Sequence, residues 1–318
     1  MTGVQTCALP ICIGIDLGGT NIAAGVVDES QRIVAEASVP TGAERAPEAV
    51  VADICRAAEL AMEKAGITAA HCASIGIGSP GTCDSSRGVV VRAYNLGWFD
   101  VPVCDMVTQR LGLPCRLSND ANCAALAETV AGAAVGCRSM VLITLGTGVG
   151  SGIIADGKLL EGAGGTGAEV GHALLVLDGE PCTCGRRGCW EAYGSATALI
   201  RQGKRAGQAH PESALSSFGD ALTAKDVFDA AEQGDETAQA VLERYYVYVA
   251  AGITDLVNIL GPELVLIGGG ISRQGERLLA PVREYVAANC FGGHDRKPPE
   301  LRAAKLGNEA GIIGAAAL

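Results

Sequence analysis

Short apolar runs alternate with amphipathic stretches from residue 12 to the end of the chain. Residues 12–16 form an apolar run ending on Asp16, residues 17–21 a glycine turn, and residues 22–27 a second apolar run. Two strands joined by so short a turn predict a hairpin rather than a βαβ unit. A third strand is expected over 32–39. Apolar positions at helical spacing over 47–64, with Pro47 near the start and Gly66 past the end, predict a helix. Strands at 73–78 and 88–92 flank the turn Ser79-Pro80-Gly81, and a helix is expected at 105–111. A strand at 115–118 then delivers Asn119 and Asp120 to its C-terminal end, before an alanine-rich helix over 121–134.

The pattern restarts at Ser139. A strand at 140–145, a Gly/Thr turn at 146–150 and a strand at 151–155 repeat the logic of 12–27. Helices are expected at 191–205, 224–233 and 237–260, the last carrying Tyr245, Tyr246 and Tyr248 as packing residues. A strand at 264–267 leads into Gly268, Gly269 and Gly270, followed by a helix at 276–288, a short strand at 301–304 and a last helix from Glu309. This alternation indicates the α/β class. Two similar halves predict a duplicated fold with a domain at 12–119, a larger domain at 120–307, and the final helix, about 308–318, packing back on the first. Residues 1–11 have no period, look like the translation of a sequencing-library adapter, and are expected to be foreign to the native protein. Residues 314–318 stop inside a helical pattern, and a clipped end is expected there too.

Chemistry concentrates in one stretch. His172, Cys182, Cys184 and Cys189 place one imidazole and three thiols within eighteen residues, interleaved with glycine. Four such ligands suit a closed tetrahedral Zn²⁺ site, which is structural because no position is left for water. Glu169 precedes the His by three residues and Glu191 follows the last Cys by two. Tying His172 to Cys189 would bring these carboxylates together as rigid acceptors for a polyhydroxylated ligand. Asp16, Gly18, Gly19 and Thr20 share one turn, where glycine lets backbone N–H groups approach phosphate and a carboxylate is tolerable through Mg²⁺. Gly146, Thr147 and Gly148 begin a second turn of this type. Neither is a Walker A loop, since no Gly-Lys-Ser/Thr follows, and neither is a dinucleotide fingerprint, since a strand follows. Asp120 reads equally as a helix N-cap or as a general base. Gly268–Gly270 reads first as a strand-to-helix loop, although bare backbone there would also accept a flat adenine ring.

Composition narrows the classes. The chain has 318 residues and is 48% hydrophobic, ample for two cored domains. A net charge of −11 disfavours nucleic-acid partners and helix-turn-helix regulators. No apolar run reaches the roughly 18–20 residues of a membrane span, and no signal peptide is visible. Most of the thirteen cysteines, such as Cys55, Cys72, Cys104 and Cys123, stand singly among apolar residues. They read as small buried hydrophobes in a reducing cytoplasm.

From residue 12 to 318 these motifs resemble the ROK-family sugar kinases, and within them the bacterial glucokinases. The residues that carry the resemblance are Asp-x-Gly-Gly-Thr at 16–20, Gly-Ser-Pro-Gly-Thr at 78–82, Asn-Asp-Ala-Asn at 119–122, Gly-Thr-Gly-Val-Gly at 146–150, and Glu169-x-Gly-His172 with the Cys cluster. The resemblance implies an actin-like ATPase (ribonuclease H-like) fold, with two domains around a central cleft. It implies ATP-dependent phosphorylation of a hexose, glucose foremost, at O6, with Asp120 as the base. Gly81, Asn119, Glu169, His172 and Glu191 would bind the sugar. Asp16, Gly18, Gly19, Thr20, Gly146, Thr147, Gly148, Gly268, Gly269 and Gly270 would surround ATP and Mg²⁺. A homodimer or homotetramer is implied. Other sugars (N-acetylmannosamine, N-acetylglucosamine, mannose, fructose) or a non-catalytic sugar sensor are the alternatives. Two departures are visible: Ser151 where a third glycine is frequent, and Ala168 where glycine often precedes the Glu.

Overall fold

A computed structural model describes residues 11–295 and 297–318; the expected foreign segment lies outside them except for Ile11. The chain forms two compact units, one of residues up to Gly136 with 159–168 and Lys305–Leu318, the other of Cys137–Lys158 with Glu169–Ala304. The first unit begins with β1 (Ile11–Leu17), β2 (Asn21–Val27), β3 (Ile33–Pro40), α1 (Pro47–Ala65) and β4 (Cys72–Ser79). It continues through β5 (Thr82–Asp84), β6 (Val89–Ala93), β7 (Trp98–Val101), α2 (Val103–Leu111), β8 (Cys115–Asn119) and α3 (Asp120–Val130). The main sheet has the order β3-β2-β1-β4-β8. β1 and β2 pair antiparallel as the expected hairpin, while β4 runs parallel to both β1 and β8. Parallel pairing with Asp16 opposite Gly78 and Ser79 opposite Asn119 brings Asp16, Ser79 and Asn119 to one end of the sheet. The strand expected at 88–92 is β6, but sequence periodicity did not anticipate its partners in the small sheet β5-β6-β7, since β5 and β7 are only three and four residues long.

The second unit repeats the scheme. Its strands are β9 (Met140–Leu145), β10 (Val149–Ala155), β11 (Lys158–Leu159), β12 (Leu264–Gly268) and β13 (Glu300–Ala303), in the order β11-β10-β9-β12-β13. Again a hairpin, β9–β10, adjoins parallel strands, β12 and β13. Its helices are α4 (Glu191–Gly194), α5 (Ala196–Ala209), α6 (Ala214–Phe218), α7 (Ala224–Glu232), α8 (Glu236–Leu260) and α9 (Glu276–Asn289). The single helix expected at 191–205 is broken, because Ser195 is extended and its side chain accepts from Ala198 N as the N-cap of α5. Tyr245 packs as expected: it is buried and its hydroxyl donates to the Gly194 carbonyl at 2.8 Å.

The last helix, α10 (Ala310–Ala316), belongs to the first unit. It lies almost on the backbone of β1 and β4. A Cβ at Gly14 would sit 1.8 Å from the Ile312 carbonyl oxygen, and one at Gly76 would sit 1.7 Å from that of Ala315. The buried Glu128 of α3 anchors the approach to this helix. Its Oε1 accepts from Lys305 N (2.7 Å) and Leu306 N (2.9 Å), and its Oε2 accepts from Ala133 N (2.6 Å). Because α3 packs on α10, the first unit runs past the expected boundary at Asn119 to Gly136. No helix of the described residues is long and apolar enough to cross a membrane.

Candidate active site

In the first unit, β8 ends where α3 begins. Asn119 is the N-cap, its Oδ1 accepting from Ala121 N at 2.8 Å. Its Nδ2 donates to the Gly81 carbonyl at 3.0 Å, which joins two of the expected sugar residues. The cap role weighed for Asp120 is thus filled by its neighbour, and Asp120 is the first helical residue, its Oδ1 accepting from Ala121 N at 2.7 Å. Asp120 keeps an open face to solvent, yet the protein crowding around it strips hydration from the carboxylate and raises its pKa.

Asp16 is the second perturbed acid. Partial burial, and then the charge of Asp120, lift its pKa from 3.8 to about 6. It lies against α10, since a Cβ at Gly311 would be 2.5 Å from Asp16 Oδ2. The adjoining turn is closed by Gly18 N–H donating to the Asn21 carbonyl (3.0 Å) and by Thr41 Oγ1 donating to the Gly18 carbonyl (2.7 Å). Gly19 and Thr20 are exposed at its tip. Asn95, which sequence reasoning passed over, approaches here, with its Nδ2 3.3 Å from a Cβ placed on Gly19. A lone Asn in a single 3-10 turn, Tyr94–Leu96, carries no pattern that would have revealed it.

The second unit contains the matching turn. Gly146 N–H donates to the Gly148 carbonyl at 3.0 Å, so here too the first glycine closes the turn, and Thr147 is exposed at its tip. β12 lies beside β9 with Gly268 opposite Thr144, which brings Gly268–Gly270 to the sheet end that carries Gly146–Gly148. Gly148 has a neighbour not visible in the sequence. A Cβ there would come within 2.2 Å of Glu191 Oε2, which accepts from Val149 N at 3.1 Å. Glu191 Oε1 accepts from Thr183 Oγ1 at 3.0 Å, so one carboxylate ties the strand that follows this turn to the cysteine loop.

His172, Cys182, Cys184 and Cys189 converge, with their donor atoms all within 4.8 Å of one another. Cys184 Sγ is 3.6 Å from Cys189 Sγ, and Cys182 Sγ is 3.7 Å from His172 Nδ1. Zn–S bonds of about 2.3 Å in a tetrahedron imply ligand separations of about 3.6–3.8 Å, which these two separations match, so the donor set is compatible with the ion. His172 faces the cluster with Nδ1. Glu169 begins the short turn of helix that carries His172 and is exposed; Ala168 before it holds a left-handed φ of 61°.

The ROK family model matches residues 12–318. The chain is 40% identical over 314 residues to a glucokinase of Streptomyces coelicolor, covering 97% of each chain. It is 38% identical over 315 residues to a glucokinase of Thermotoga maritima, covering 96% of each. A solved ROK glucokinase of Streptomyces griseus, in complex with glucose and AMPPNP, superposes with a TM-score of 0.80 at 40% identity, over 96% of this chain and 98% of that one. The fold is therefore the actin-like ATPase fold of α/β class. The chain belongs to the ROK family.

Proposed function

We propose that the protein is a glucokinase, transferring the γ-phosphoryl group of ATP to the 6-hydroxyl of glucose. The observation that carries the reading is the Asn119–Asp120 junction: Asn119 stands at the cap of α3, and Asp120, which shares the Ala121 N–H with it, is exposed to solvent with a raised pKa. In this reading an Asp120 carboxylate oxygen accepts the O6 proton as the phosphoryl group transfers. Its raised pKa makes it a stronger base than an ordinary aspartate. Gly81, Asn119, Glu169, His172 and Glu191 are the proposed sugar ligands. His172 would use Nε2 for the sugar while Nδ1 faces the cysteine cluster.

Gly18, Gly19 and Thr20, with Gly146, Thr147 and Gly148, are proposed to receive the phosphates, and Gly268–Gly270 the adenine. Asp16 offers hard oxygen donors for Mg²⁺, which would supply charge neutralisation to the phosphates. Zn²⁺ at His172, Cys182, Cys184 and Cys189 would be structural, fixing the loop against which Glu191 rests. The protein is proposed to be a cytoplasmic homodimer or homotetramer.

The test is coupled ADP release over a panel of hexoses and N-acetylhexosamines with MgATP. Turnover led by glucose is expected. Asp120→Asn should lower kcat by at least about a thousandfold, with glucose affinity within a fewfold of normal. Retained turnover in that variant would refute the assignment, and preference for an amino sugar would refute the substrate.

A further inference from the structure

One carboxylate beside this junction has no role so far. Glu161 reaches the first unit on the segment 159–168. Its Oε1 accepts from the hydroxyl of Ser118 at 2.5 Å, and its Oε2 accepts from that of Ser85 at 2.7 Å. Ser118 is fully buried and is the residue immediately before Asn119 and Asp120. Asn122, buried in the first turn of α3, donates Nδ2 to the same Ser118 hydroxyl at 3.3 Å. The bonds run in one direction, from Asn122 through Ser118 to Glu161, and end on a carboxylate, the strongest acceptor such a chain can have. They bracket Asp120 from both sides in sequence. The segment that supplies Glu161 is itself held closely, since a Cβ at Gly165 would meet the Cys83 carbonyl oxygen at 1.7 Å.

We propose that Glu161 is a positioning residue for Asp120, fixing the strand-to-helix junction through Ser118 and so the direction of the Asp120 carboxylate. This rests on the reading of Asp120 as the base. Ser118 must otherwise donate elsewhere from a buried site, and reorienting its hydroxyl releases Asn122 as well. A displacement of about 1 Å at a reacting group costs on the order of a hundredfold in rate.

The experiment compares wild type with Glu161→Ala, Glu161→Gln, Ser118→Ala and Ser85→Ala, reading kcat and KM with glucose and MgATP alongside Tm. Glu161→Ala should lower kcat at least tenfold while the KM for MgATP stays within twofold. Glu161→Gln should recover most of the rate, because its amide oxygen can still accept from Ser118. Ser118→Ala removes the same bond from the other side, should match Glu161→Ala, and decides the matter if Glu161→Ala does not fold. Ser85→Ala, which loses only the second contact, should stay within twofold of wild type. A kcat within twofold of wild type in Glu161→Ala or Ser118→Ala overturns the proposal. So does a loss in Ser85→Ala as large as in Glu161→Ala, since that would mean Glu161 merely anchors its own loop. Failure of the underlying reading is separate: it appears as a wild type without glucose turnover, or as an active Asp120→Asn.

Discussion

Asp16→Asn should make the ligand-free protein more stable at neutral pH while abolishing its proposed catalysis. Asp16 has a pKa of about 6 in the folded chain against an ordinary 3.8. A carboxyl whose pKa is raised by folding favours the folded state only while it is protonated. Its contribution is fully present below pH 3.8 and is lost as pH rises to about 6. At about 1.4 kcal/mol per pH unit, the charged form costs up to about 3 kcal/mol above that window. Asparagine keeps the shape and removes the charge. The difference between variant and wild type should therefore approach about 3 kcal/mol at pH 7.5 and shrink toward zero near pH 4. The assay is urea unfolding of both proteins, without nucleotide or divalent cation, across pH 4–8. Millimolar Mg²⁺ with nucleotide should narrow the gap at pH 7.5, because only the aspartate gains a partner. A variant no more stable than wild type at pH 7.5, or a gap independent of pH, would refute the account of Asp16 as a desolvated carboxylate repelled by Asp120.

Three further outcomes are expected. Stripping metal with a chelator, or Cys189→Ser, should lower Tm and raise the KM for sugar more than that for ATP, because Glu191 is held at Thr183 in the cysteine loop; metal analysis should find one zinc per chain before treatment. Glu128→Ala should destabilise the chain by about 3 kcal/mol or more, as three backbone N–H groups lose their acceptor, whereas Glu128→Gln should cost less, both read by urea unfolding. Ala168→Gly should stabilise by about 1 kcal/mol, since the left-handed φ of 61° strains any residue with a Cβ, and its Tm should rise accordingly.

Much of the fold was legible because it is written in local patterns. The two hairpins with their glycine turns, the strands that follow each, and the long α8 all appear as period or punctuation within one segment. The Cys/His cluster was legible for the same reason: His172 and the three cysteines lie within eighteen residues, so their spacing alone limits what they can hold. The ROK motifs placed Asp16, Asn119, Asp120 and Glu191 in a candidate site without any coordinates.

What tertiary structure decided is of another kind. The helix expected at 191–205 breaks at Ser195 because that residue caps α5, an outcome that helical periodicity does not encode. Gly148 reads in sequence as room for phosphate, but a Cβ there would also displace a carboxylate 43 residues later, at Glu191. Asn119 rather than Asp120 caps α3, a choice between adjacent polar residues made by side-chain geometry. The pKa of Asp16 and the bond from Ser118 to Glu161 arise from desolvation and from contact between distant segments. Sequence determines which groups are present and how each short segment folds. Which of them lose water, which carboxylates repel, and which hydroxyl finds which acceptor depend on distances that exist only once the chain has closed on itself.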